Sequence, residues 1–190
     1  MTRPALVLVA AALSACEVAD GSGSAVTESY GLGRAASDSE VAFMNTDVSP
    51  SGEGLPPGRG DAARGAVLFE AQCAVCHGAS GEGINPNPPL VGREPREGFP
   101  FGQDPRLVRT VGNYWPEATT LFDYIRRTMP LSAPGSLPDD DVYALTAHLL
   151  VANEILPAGS ALDSASLMAV RMPARDRFVP DDRRGGRDVR

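Results

Sequence analysis

Apolar residues gather in four stretches of this chain, and their spacing differs from one to the next. Ala5 to Leu13 is uniformly apolar and follows Arg3. A run that short reads as the core of a signal peptide, too brief to span a bilayer. Residues 17–60 are rich in Gly, Ser, Pro, Asp and Glu, with few large apolar side chains. The first part of that stretch cannot bury enough surface to order itself and reads as a flexible tether. A helix is predicted over Ala62–Ala71 behind the N-cap candidate Asp61, with Val67, Leu68 and Phe69 as its apolar bulk. Gly and Pro then punctuate residues 78–116, a long loop region with room for one short helical turn. Pro116 opens a second helix that runs to Arg127, and Leu121, Phe122 and Ile125 give it one apolar face. A third helix spans Asp139 to Ala152. Three aspartates fill its first turn, where the helix dipole favours anions, and Val142, Leu145, Leu149 and Leu150 mark its buried stripe. No strand is evident. The pattern predicts a single small all-α domain whose globular part begins near Asp61. The resemblances carried by the motifs below divide the chain into a leader at 1–15, a tether at 16–44, the folded domain at 45–155, and a tail at 156–190 that packs on the domain and ends in disorder.

Cys73-Ala74-Val75-Cys76-His77 supplies the chemistry. Two thiols three apart, followed at once by a histidine, is the spacing that attaches haem covalently. On one helical turn both thiols can reach the haem vinyl groups, and His77 then lies beneath the iron as proximal ligand. The alternatives are a redox pair, which does not need the His, and a zinc site, which needs a second pair of ligands. Cys16 and His148 are the other cysteine and histidine in the chain. One motif implies one haem c, which completes the core of the all-α domain.

Leu13-Ser14-Ala15-Cys16 resembles the bacterial lipoprotein signal, in which the Cys is lipid-modified and becomes the first mature residue. Ordinary secretion with Cys16 as a free thiol is the alternative. The lipoprotein reading accounts for every cysteine: two on haem, one on lipid. Cytochrome c haem is attached outside the cytoplasm, so both signals predict a periplasmic protein anchored to a membrane by lipid. The formal charge is -7, and every cation is Arg. That balance argues against nucleic acid. It suits docking on basic faces of partners, or solubility alone. No nucleophile–base pair remains once His77 is assigned to iron, so catalysis by the chain on its own is not expected.

The order of helix, haem motif, loop, helix and C-terminal helix resembles class I cytochromes c, and the resemblance implies that fold. In that class an axial Met sits directly before the last core helix, where Met129-Pro130 stands here. A thioether opposite imidazole raises the haem potential and favours electron transfer. The alternatives are that Met129 fills a core gap, or that Met172, also followed by Pro, reaches the iron if the tail folds across the haem. His148 could make a bis-histidine haem. However, it stands where the class carries an aromatic that packs across the first helix near Gly65 and Phe69, so it reads as a packing residue. Pro88-Pro89-Leu90 resembles the class segment whose Pro carbonyl accepts the proximal imidazole N–H and so fixes the ring; Pro88 is the candidate.

The segment from Thr110 through Asn113, Tyr114, Trp115, Arg126 and Arg127 to Pro130 closely resembles the cytochrome subunit of the bacterial sulfane dehydrogenase of the Sox pathway (SoxD-type), related to haem subunits of sulfite dehydrogenases. Residues 47–60, 139–152 and 170–176 resemble flanking parts of that family. The resemblance implies a molybdenum-cofactor partner subunit that oxidises a sulfur compound. The cytochrome would accept its electrons singly and pass them to a downstream cytochrome c or oxidase. The chain departs from the best-known members in its single haem motif and its lipoprotein signal. Independently of the family, two haem propionates need donors, and Asn113, Tyr114, Trp115, Arg126 and Arg127 can all donate. Arg127 can equally be a solvated helix end. Two rival roles stay open: a free-standing tethered shuttle to a terminal oxidase, and a haem enzyme or sensor with an open sixth site.

Overall fold

The fold is given by a computed structural model, which describes residues 31–179. The leader, Cys16 and most of the tether lie outside the described residues, as does 180–190. Two compact units divide at Ala36 and Ser37. Of the first, residues 31–36 are described and contain no helix or strand. The second holds everything that follows.

It begins with a helix where a tether was expected. α1 (Asp38–Met44) forms because Ser37 and Glu40 make a reciprocal capping box, although none of its residues is buried. After it an extended arm lies against the domain. The Val48 N–H donates to Asp123, the Thr119 hydroxyl to the Pro50 carbonyl, and the buried Tyr143 hydroxyl to the Pro56 carbonyl. The arm ends in β1 (Arg59–Asp61), which pairs antiparallel with β2 (Ala161–Asp163). This short pair departs from the expectation of no strand. Three residues are too few to show period-two alternation, and the pairing partner lies in the tail.

α2 (Ala62–Gln72) starts at Asp61, whose carboxylate accepts from the Arg64 N–H as an N-cap. α4 (Ala118–Thr128) and α5 (Asp139–Ala152) follow, after α3 (Ala74–His77), a single turn within the haem motif. α5 is the centre of the fold and packs against α2, α4 and both strands. Its expected stripe is buried, and so are Tyr143, Ala144 and Ala147, because it has neighbours on several sides. The crossing of α2 on α5 depends on Gly65. A Cβ there would lie 1.9 Å from the Ala144 carbonyl oxygen and 2.7 Å from His148 Cβ.

The tail returns through β2 and α6 (Ser164–Met168), capped by Asp163. Leu162, Leu167 and Met172 are at most 2% exposed. Burying each stabilises the fold by about 1.5–3 kcal/mol. The tail is therefore part of the core of this unit.

Candidate haem site

The motif cysteines stand at the junction of two helices. α2 closes at Cys73, whose carbonyl accepts from the N–H groups of both Cys76 and His77 at 3.0 and 2.9 Å. That turn ends at Gly78, where φ is +80°. The following loop doubles back: Gly83 N–H donates to the His77 carbonyl, and Leu90 and Val91 N–H groups donate to that of Gly81. Gly81 needs to be glycine, with φ of +75° and space that Val91 already fills. The doubled loop carries the Pro88 carbonyl oxygen to 3.3 Å from His77 Nδ1. A carbonyl only accepts, so Nδ1 holds the proton and Nε2 presents a lone pair. The structure thus brings the Pro88 carbonyl and the His77 ring together.

The loop is anchored on its far side by Asn153, at the C-terminal end of α5 and 1% exposed. Its amide donates to the Leu90 and Leu149 carbonyls and accepts from the Gly92 N–H. Asn153 was not singled out in the sequence. Its signal was an Asn just past the last apolar residue of a helix.

Met129 caps α4 and is partly exposed, packed at the edge of the apolar core. Met172 is enclosed within that core at 2% exposure. His148 is half-buried with its ring 5.1 Å from that of Phe69, and burial lowers its pKa. It packs across the helix crossing as a small aromatic would. Burial, and then the neighbouring Cys76, pushes the Cys73 thiol up to about 11. That is opposite to the depressed thiol of a redox pair. Among the described residues no group of His, Cys, Asp and Glu is placed to hold a metal ion.

The expected propionate donors fare differently. Both amide protons of Asn113 are engaged, on the Glu94 and Val108 carbonyls, and its oxygen accepts from the Thr110 N–H. Asn113 locks the loop and has no proton left for a propionate, which corrects that expectation. Arg126 donates to Asp139 and to the Thr46 carbonyl, and Arg127 is paired with Asp123. Arg126 ties α4 to its surroundings, whereas Arg127 pairs within the helix, one turn on from Asp123. The Trp115 indole N–H donates to Thr120 at 3.0 Å. The Tyr114 ring packs between Phe99 and Arg109.

The residues present fit a haem: two thiols and an oriented imidazole on one turn, a thioether, and apolar neighbours such as Leu68, Leu90 and Trp115 left partly exposed at the core edge. The cytochrome c family model matches residues 62–152. A chain of the sulfane dehydrogenase SoxCD from Paracoccus pantotrophus is 40% identical, with a TM-score of 0.71 over 81% of this chain and 73% of that one. The chain belongs to the cytochrome c family. As a cytochrome c it carries covalent haem c and serves electron transfer, and it is related to sulfur dehydrogenase components. The thiosulfate dehydrogenase of Stutzerimonas stutzeri (strain A1501) is 31% identical to this cytochrome over 99 residues, covering 50% of this chain and 28% of its own length. The thiosulfate dehydrogenase of Allochromatium vinosum is 31% identical over 90 residues, covering 47% and 31%. The match to this cytochrome thus spans under a third of each of those two proteins.

Proposed function

We propose that this cytochrome c is the monohaem electron-transfer subunit of a molybdenum-containing sulfane or sulfite dehydrogenase, held in the periplasm by a lipid on Cys16. The observation that carries this reading is the 40% identity to a SoxCD chain, which extends over most of both chains. Cys73 and Cys76 are the thioether positions, His77 the proximal ligand and Met129 the distal one. When bound, the haem supplies a one-electron couple, and a thioether ligand raises its potential. The residues around it do the remainder. The Pro88 carbonyl fixes the His77 ring and raises its basicity through the Nδ1 proton. Asn153 holds the Pro88 loop in register with α5. The depth of Met172 in the core supports Met129 over it as ligand. The chain transfers electrons singly from the dehydrogenase to a downstream cytochrome c or oxidase and performs no sulfur chemistry itself.

A second reading, with thiosulfate as the donor's substrate, has its support in the two thiosulfate dehydrogenase relatives. One purification tests both. The tagged cytochrome is isolated from its own membranes and the eluate assayed for molybdenum. Stoichiometric molybdenum, with haem reduced by sulfite or a sulfane substrate, is the expected result; reduction by thiosulfate in their place would favour the second reading. Haem without molybdenum, inert to sulfur substrates, would leave a lone tethered shuttle.

A further inference from the structure

Three arginines border one depression. Arg93 and Arg96 from the loop after Pro88, and Arg177 from the tail, line an open depression together with Gly112, Asn113 and Pro173. The chain has no lysine and carries a net charge of -7, so a hollow walled by arginines runs against its overall balance. Arg96 is neutralised by Glu94 and Glu154, both at 2.9 Å. The other two have no carboxylate within ion-pair distance among the described residues. Arg93 donates through Nη1 alone, to the Asn153 and Glu154 carbonyls at 3.3 and 3.4 Å. The Arg177 guanidinium sits 6.0 Å from the Phe99 ring centroid.

The Arg93 fork is held by its surroundings, whereas Arg177 is exposed at the rim. A Cβ on Gly112 would come 2.8 Å from Arg93 Cδ, so glycine gives that side chain its path. Phe178 packs 5.4 Å from both Phe99 and Tyr114, which brings the tail backbone at Arg177 beside the loop. Pro173 and Arg177 lie beyond residues 62–152, so the tail supplies part of the wall of this hollow.

We propose that this hollow binds a small divalent oxyanion of the sulfate type between Arg93 and Arg177. A guanidinium fork matches two oxygens at once, and two unneutralised forks match a doubly charged ligand. The inference stands whatever the cytochrome's electron donor is. A haem propionate is the other source of the same oxygen chemistry, so the test uses the haem-loaded, full-length protein.

Sulfate, which is redox-inert, is titrated calorimetrically against chloride at constant ionic strength. The expected result is one saturable site, weakened roughly tenfold or more in Arg177→Gln and less in Arg177→Lys. Arg177 is exposed and makes no ion pair among the described residues, so the haem spectrum and melting temperature of Arg177→Gln should match wild type. Absence of saturable sulfate binding by the haem-loaded protein, or equal affinity in Arg177→Gln, would overturn the proposal.

Discussion

Replacing Gly65 by Ala tests the central packing of the cytochrome. In an ordinary helix interior the change would stabilise the fold by about 0.5–1 kcal/mol, since Ala restricts the unfolded chain and favours helix. At Gly65 the new methyl would lie 1.9 Å from the Ala144 carbonyl oxygen and 2.5 Å from its carbon, against an ordinary contact of 3.4 Å or more. About 1.5 Å must be found by moving α2 away from α5, because the obstruction is backbone and has no rotamer to change. Forced overpacking of this kind costs about 1–3 kcal/mol or more and outweighs the propensity gain. Net destabilisation of about 1–3 kcal/mol corresponds to a melting temperature lower by roughly 3–10 °C for a domain of this size. Urea unfolding of the haem-loaded protein, followed by far-UV circular dichroism, measures it. Ala63→Gly, on the exposed side of the same helix, is the control and should cost about 0.5–1 kcal/mol. A Gly65→Ala protein as stable as wild type, or more so, would refute the close crossing of α2 on α5.

Met129→Ala should abolish the low-spin His/Met haem spectrum, whereas Met172→Ala should keep it and lose about 2–5 kcal/mol as a core truncation; the reverse pattern would overturn the ligand assignment. Burial alone would raise the Asp123 carboxyl, but the Arg127 hydrogen bond, the Val48 N–H and the nearby positive charges outweigh it and hold it below the ordinary carboxylate value. Its stabilisation is therefore present above that value and lost as pH falls through the depressed one, so Asp123→Asn should flatten acid unfolding curves below about pH 4. Burial lowers His148, so folding favours its neutral ring and stability falls as the pH drops below about 6.5. His148→Phe should remove that slope and leave the haem spectrum unchanged.

Local signals carried the helices and the motif. Asp61, the aspartates of α5 and the apolar face of α4 are legible because capping and periodicity act within a few residues. The turn carrying Cys73, Cys76 and His77 was legible for the same reason, and Pro88 through a resemblance the geometry matches. Long-range pairings were less legible. Asn113 resembled a ligand donor because an amide's partners are invisible in sequence, and here they are two backbone carbonyls of its own loop. Asn153 meets Leu90 and Gly92 across some sixty positions of chain. The strands are not legible in sequence because each is defined by the other, from opposite ends of the domain.

That strand pair sets how small the cytochrome can be made. Arg59 lies across from Asp163, and between them runs the whole segment that matches the family. Cutting the chain after Ala152 would unpair β1, remove the Ser160 carbonyl that accepts from the Ala62 N–H, and open the space filled by Leu162, Leu167 and Met172. The smallest autonomously folding piece is consequently larger than the haem-binding segment at both ends. Closing so long a loop draws together chain ends that disperse in the unfolded state, an entropy cost growing only slowly with loop length. Any engineered carrier cut from this protein should keep both strands.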